Sequence, residues 1–369
     1  MKIPAALFVG LAIASGTVIA SVDVGQHKVV IAHRGASGYL PEHTLPSKAA
    51  AYFMGVDYIE QDVVMTRDDR LVVLHDHYLD RVTNVEEVYP KRYRMVNGEK
   101  RWFAVDFDLD EIKGLQVTEG FTVTDDAFSK NKTTPVYDDR FPLWKSSFRV
   151  NTLEEEIEMI QGLNKSTGHN VGIYTEIKAP WFHRHEGKDI SVAVLKVLKK
   201  YGYSDKGDKA YVQCFDPIET KRINDELMPA LGMDLNVVQL IITTDADETM
   251  VYKDGKAVPY NYDWMFKSGA MKRIATYADG IGPSKDYLVT ENSTQGHIVP
   301  TIMVKEAHEA GMVVHPWTLR REESQIPSYA TGYDDMLRIY LDKVGVDGVF
   351  TDFPDRAVNY IRKQESKQG

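Results

Sequence analysis

The 369-residue chain has one cysteine, Cys214, so no intramolecular disulfide can form and stability has to come from a packed core. It has no sustained block of like charge, no internal repeat and no low-complexity tract. With a formal net charge of -10 and no basic stripe, neither nucleic acid nor an anionic membrane surface is a natural partner. What is present is 43% apolar and 27% charged residues, a globular composition in which one large domain or two ordinary ones would fit. A membrane-length apolar run is also missing past the first residues. The stretch MKIPAALFVGLAIASGTVIA is apolar but short, and Gly10, Ser15 and Gly16 interrupt it. Val18 and Ala20 fit a cleavage site after Ala20, so residues 1–20 read as a signal peptide and 21–369 as the mature chain. No cysteine near that site invites lipid attachment. The expected location is outside the cytoplasm, periplasmic in a Gram-negative source and secreted otherwise, with no stable membrane insertion after cleavage.

Short runs rich in β-branched residues alternate with amphipathic stretches. VVIAH, DYIEQDVVM, GIYTEIK, AYVQCF, NVVQLII, GIGPS, MVVHPWTL and DGVFTDF read as strands. LPSKAAAYFMG, NTLEEEIEMIQGLN, ISVAVLKVLKKYG, PIETKRINDELM, TIMVKEAHEAG and DMLRIYLDKVG carry apolar residues at helical spacing. Strand and helix in alternation predict a parallel sheet with right-handed crossovers, and eight such units predict closure into a (β/α)8 TIM barrel. Between about residues 78 and 148 the rhythm fails; the chain there is dense in charges and aromatics and reads as an insertion over one barrel face.

The strand ends carry polar groups that a barrel interior tolerates only if they pair, react or bind a metal. His33 and Arg34 end the first strand, Glu60 and Asp62 lie in the second, Glu176 and Lys178 end the third, and Trp317 ends a late one. Strand periodicity points Glu60 and Asp62 to one face and Ile59 and Gln61 to the other. With Glu176 they make three oxygen donors and no thiolate, a set suited to Mg²⁺ or Ca²⁺. The bland alternative is a solvated strand end. His75 follows LVVL; alone it reads as a loop residue, but His33 and His75 facing one metal site could divide general base and general acid roles.

Together IAHRGASGYLPEHTLPS, DYIEQDVVMTRDDRLVVLHDHYLDRVT, YTEIK, VQCF, HPWTL and DGVFTDFPD resemble the glycerophosphodiester phosphodiesterases, particularly the exported bacterial type, over about residues 29 to 360. The resemblance implies a TIM barrel, a metal-dependent hydrolase and small-molecule glycerophosphodiesters as substrates. It implies His33 and His75 as the acid/base pair, Glu60, Asp62 and Glu176 as metal ligands, and Arg34 and Lys178 as phosphate contacts. Gln213, Phe215 and Trp317 would shape a glycerol pocket. Glu42 and His43 are left open between orienting and capping roles, Asp76 between a supporting contact to His75 and a turn. Calcium is expected over magnesium, because exported sites meet more calcium and a carboxylate cluster suits its variable coordination. Two rival readings remain at this point. A phospholipase D-like or phosphoinositide-type enzyme would need a bilayer-facing rim, which Trp102, Phe103, Phe107, Trp144 and Phe148 could supply. An exported binding protein would have no need of two histidines.

Overall fold

Eight parallel strands form the barrel, and each matches one of the β-branched runs. In the computed structural model, which describes residues 27–124 and 132–368, they are β1 Val29–Ala32, β2 Tyr58–Met65, β3 Gly172–Ile177, β4 Ala210–Cys214, β5 Asn236–Ile241, β6 Gly280–Pro283, β7 Val313–Val314 and β8 Gly348–Thr351. Hydrogen-bonded neighbours run β7-β6-β5-β4-β3-β2-β1-β8. The seam between β7 and β8 closes through backbone bonds from Asp347 N to Val314 O (3.0 Å), Phe350 N to Pro316 O (3.0 Å) and Leu319 N to Phe350 O (2.9 Å). The expected signal peptide lies outside the described residues. Among the described residues no helix is long and apolar enough to cross a membrane.

All eight residues of β2 are buried, as befits a strand covered on both faces. Ile59 and Val63 face the main core beneath the helices, whereas Tyr58 joins Ile31, Tyr174, Val238 and Phe350 inside the barrel. Tyr174 and Tyr211 stack with centroids 4.7 Å apart, Tyr58 meets Tyr211 edge-on at 5.3 Å, and the Tyr174 hydroxyl lies 3.0 Å from His315 Nδ1. These rings make a floor. Gly172 sits beside it because a Cβ there would come within 2.5 Å of the Tyr58 ring. Two residues further along the same face stand Glu60, Glu176 and Gln213, so the period of the strand lifts the acids from the floor toward the mouth.

The helix Leu45–Met54 begins at Thr44, whose side chain accepts from Ser47 N, and stops at Gly55 in the left-handed region with φ 83°. Lys48 on it is fully buried, with Nζ 3.2 Å from the equally buried Glu156 of the helix Leu153–Thr167. The C-terminal helix Pro354–Gln368 was not among the helical stretches read from the sequence.

The irregular region holds short elements, including the hairpin Arg94–Val96 with Glu99–Arg101 and the hairpin Phe121–Thr124 with Lys132–Pro135. They enclose a small core of Leu79, Val85, Trp102, Phe107, Val117 and Phe148 that is continuous with Val64 of β2 and Val72 of the short antiparallel strand Leu71–Val73. Trp102, Phe103, Phe107 and Phe148 are all buried, which removes them as a bilayer-facing rim; Trp144 is half-buried.

Candidate active site

Register brings the acids together. Asp62 on β2 is the direct neighbour of Glu176 on β3, and Glu176 is the direct neighbour of Gln213 on β4. Glu60, Asp62 and Glu176 each offer an oxygen within 4.8 Å of the others, and all three are buried. Burial, reinforced by the Asp62 and Glu176 carboxylates, pushes the Glu60 carboxyl well above its ordinary value. Burial likewise pushes Glu176 up to about 8, Lys178 opposing and Asp62 adding to it. Asp62 Oδ1 and Gln213 Oε1 are buried with no hydrogen-bond partner. Crowded carboxylates, orphaned oxygens and the absence of sulfur are what a hard divalent cation would satisfy, so the donor set fits one.

The remaining lone pairs are held from behind. Gln213 Nε2 donates to Glu60 Oε1 at 2.9 Å, and the Arg34 backbone N–H donates to Glu60 Oε2 at 2.9 Å. That second bond requires Arg34 to sit in the left-handed region, φ 58°, an uncommon conformation for a residue with a Cβ. His43 Nε2 lies 2.8 Å from Asp62 Oδ2, and Lys48 Nζ lies 3.1 Å from His43 Nδ1. Because ammonium only donates, Nδ1 accepts and Nε2–H points at the carboxylate. Burial and the nearby Lys48 hold this imidazole low, at about 3, so it is a neutral donor. His43, left open in the sequence, is therefore an orienting group for Asp62.

His33 is buried, with Nδ1 2.6 Å from Asp352 Oδ1. Asp352 Oδ2 also accepts from Arg140 Nη2 at 2.6 Å and Arg320 Nε at 2.7 Å. The carboxylate fixes the proton on Nδ1 and leaves Nε2 an acceptor, in a long 3.4 Å hydrogen bond from the Thr318 hydroxyl and 3.9 Å from Glu60 Oε2. Burial, then the Arg34 guanidinium, outweigh Asp352 and hold His33 down at about 4. It is a neutral imidazole whose Nε2 lone pair is held only by the long contact from the Thr318 hydroxyl. His75 Nδ1 is in turn 2.6 Å from Asp76 Oδ1, which gives Asp76 the supporting contact and leaves the other ring nitrogen for the cleft. Arg34 Nη1 donates to Glu42 Oε2 at 2.6 Å, while its Nε is buried with no hydrogen-bond partner, 3.6 Å from Asp62 Oδ2.

Two adjoining cavities share His33, Arg34, His75 and Arg320. One, of about 250 Å³, opens over Glu60, Asp62, Glu176 and Gln213 and has Phe215 and Trp317 as walls, their rings 5.6 Å apart edge to face. The other, of about 220 Å³, lies toward the insertion. Of the residues singled out from sequence, eleven line one or both cavities: His33, Arg34, Glu42, Glu60, Asp62, His75, Asp76, Glu176, Gln213, Phe215 and Trp317. Lys178 does not; its Nζ is committed to Glu176 Oε1 at 2.6 Å and Glu248 Oε1 at 3.1 Å. Sequence reasoning missed Asp352, Arg320, Arg140 and Glu248. Asp352 stands inside the quoted DGVFTDFPD, yet its partner is 319 residues away, and no local pattern joins the two. Cys214 is buried, its thiol donating to Ile177 O at 3.4 Å, and burial pushes its pKa up; it is a packing residue and not a nucleophile.

The glycerophosphoryl diester phosphodiesterase family profile matches residues 33–356. A glycerophosphodiester phosphodiesterase of Haemophilus influenzae is 52% identical over 347 residues, covering 93% of this chain and 92% of that one. One of Treponema pallidum is 43% identical over 354 residues, covering 94% and 96%. Among solved structures, an Oleispira antarctica phosphodiesterase in complex with the product sn-glycerol-3-phosphate superposes with TM-score 0.55 at 20% identity, covering 90% of this chain and 96% of that one. A glycerophosphodiester phosphodiesterase of Thermotoga maritima gives TM-score 0.51 at 17% identity, covering 90% and 98%. At those identities the two structures speak for the barrel alone.

Proposed function

Since the chain belongs to the glycerophosphoryl diester phosphodiesterase family and is an enzyme of that activity, we propose that it hydrolyses glycerophosphocholine, glycerophosphoethanolamine and related diesters to sn-glycerol 3-phosphate and the alcohol. The observation that carries the reading is the pairing of a neutral imidazole, His33, with three buried carboxylates across one cleft. Glu60, Asp62 and Glu176 would hold a divalent cation, which supplies charge stabilisation at a phosphate oxygen and relieves their mutual repulsion.

The chain's own groups do the rest. Arg34 brings to the phosphate an Nε donor that makes no hydrogen bond of its own, beside Asp62. His33 Nε2 takes the proton of the attacking hydroxyl, in the intramolecular route the 2-hydroxyl of the glycerol itself, and the cyclic diester so formed opens to water. His75 gives its proton to the departing alkoxide. Phe215 and Trp317 pack on the carbon face of the glycerol, and Gln213 holds Glu60 in place. Calcium in preference to magnesium is supported by the expected exported location, with a leader removed after Ala20, and by a three-carboxylate cluster that suits calcium's variable coordination.

The test is release of glycerol 3-phosphate from glycerophosphocholine by protein lacking residues 1–20, with and without chelator. Chelator-sensitive release supports the whole reading; a folded sample inactive with every added divalent ion refutes it. Cell fractionation with N-terminal sequencing tests export, and a mature protein that retains residue 1 contradicts it.

A further inference from the structure

Four carboxylates line the cavity of about 250 Å³; three are the metal set, and the fourth is Glu248. It stands on the loop after β5, at the C-terminal end of the strands where the cleft opens. Its backbone is anchored. Trp181 Nε1 donates to Glu248 O at 3.1 Å, and the next residue, Thr249, is buried and accepts from Tyr260 N at 2.8 Å, closing the hairpin of Met250–Lys253 with Lys256–Pro259. The side chain is placed as well. Lys178 Nζ donates to Glu248 Oε1 at 3.1 Å and to Glu176 Oε1 at 2.6 Å, so one ammonium sets the two carboxylates side by side. The same ammonium lies 5.4 Å from the centre of the Phe215 ring. Glu248 is thus next to the metal set and to the aromatic wall that the functional reading gives to the carbon face of the glycerol.

Glu60, Asp62 and Glu176 are buried and converge on one point. The Glu248 side chain is 27% exposed, and its bond to Lys178 takes one of the about four acceptor sites that a carboxylate offers. A glycerol with its carbon face on Phe215 and Trp317 and its phosphate toward Arg34 turns its hydroxyl edge away from the rings. The 2-hydroxyl is the attacking group beside His33. The terminal hydroxyl is left, and inside a cleft it needs an acceptor, since a polar group taken from water without a partner is costly and an ionised acceptor makes the stronger bond.

We propose that Glu248 is a specificity-determining contact for the glycerol half of the substrate: it accepts a hydrogen bond from the terminal hydroxyl, and the enzyme thereby rejects diesters of a diol that lacks it. The inference rests on the functional reading for the side of the cleft that the glycerol occupies, and goes beyond it in naming the residue that reads the third carbon.

The experiment compares kcat/KM of the metal-loaded enzyme on glycerophosphocholine and on the choline diester of propane-1,2-diol phosphate, which keeps the attacking 2-hydroxyl and lacks only the terminal one. The wild type is expected to favour the glycerol diester by about tenfold or more. In Glu248→Met, which keeps the length and removes the acceptor, that ratio should fall to within about threefold of one, through loss on the glycerol diester alone, while calcium affinity by calorimetry stays within about threefold of wild type. A ratio kept at its wild-type value overturns the proposal. So does an equal loss on both substrates, which is what a purely structural role through Lys178 would give, and so does a loss of calcium affinity, which would make Glu248 part of the metal site. A second measurement needs no variant: sn-glycerol 3-phosphate against propane-1,2-diol 1-phosphate as inhibitors of the wild type. Inhibition by the glycerol compound at about tenfold lower concentration supports the contact, and equal inhibition overturns it. Should the wild type cleave neither diester with any divalent ion, the functional reading falls, and this inference with it. Cleavage of both without preference overturns the inference alone.

Discussion

Replacing Asp352 by Asn would invert the proton on His33 without moving an atom by much. Oδ2 of Asp352 accepts from two guanidiniums, Arg140 at 2.6 Å and Arg320 at 2.7 Å, whereas Oδ1 faces His33 Nδ1 at 2.6 Å. In Asp352→Asn the two arginines claim the one remaining oxygen, because they can only donate, and the amide nitrogen is left against the imidazole. An amide N–H donates to Nδ1 and so drives the ring proton to Nε2, where the base is needed. Recovering the productive tautomer means losing that hydrogen bond and opposing two donors, a cost of about 3 to 4 kcal/mol. The expected fall in kcat is roughly two to three orders of magnitude, with KM changing much less. Steady-state release of glycerol 3-phosphate measures it, and the ¹⁵N shifts of the imidazole report the tautomer directly. A folded Asp352→Asn enzyme with kcat within about threefold of wild type would refute the assignment of His33 as the base.

Glu176→Gln should abolish divalent-cation binding by calorimetry but also strips the buried Lys178 of a partner; Glu60→Gln should abolish that binding yet in chelator melt no lower than wild type, since it removes a charge from a crowded buried set. A clear loss of chelated stability would contradict the repulsion argument. Arg34→Lys forfeits the planar Nε donor, and KM for the diester should rise by about tenfold; an unchanged KM would remove Arg34 from the phosphate. Lys48→Met leaves Glu156 buried without its partner and should cost about 3 to 5 kcal/mol in urea unfolding. Asp347 accepts from Val314 N at 2.8 Å and lies 2.9 Å from His308 Nε2, and its carboxyl is held below the ordinary value, His308 outweighing burial. A depressed native pKa stabilises above the unfolded value and fades as pH falls through the native one, so Asp347→Asn should lose about 1 to 2 kcal/mol at neutral pH and converge with wild type in acid. A gap that persists in acid would point to packing instead of charge.

The barrel was legible because each of its strands is a short β-branched run between amphipathic stretches, and strand period alone put Glu60 and Asp62 on one face. The insertion was not. Trp102, Phe107, Val117 and Phe148 build one core from widely spaced positions, so no window of sequence carries their periodicity. Within the site, residues on neighbouring strands could be read and those joined by closure of the barrel could not. His33 meets Asp352 only because β1 pairs with β8, the first strand with the last. Lys178 shows the converse limit: its position at a strand end points to the phosphate, but Glu248, from a loop after β5, claims its ammonium.

The core of the insertion includes Val64 and Val72, residues that belong to the barrel itself, and Arg140 reaches from the insertion to Asp352 beneath His33. The segment is therefore not a cassette that evolution could exchange between barrels while leaving the chemistry untouched. A change at Arg140 reaches Asp352, the carboxylate that orients His33. The insertion and the base are one mechanical unit, so a substitution on either side of the Arg140–Asp352 contact is felt on the other.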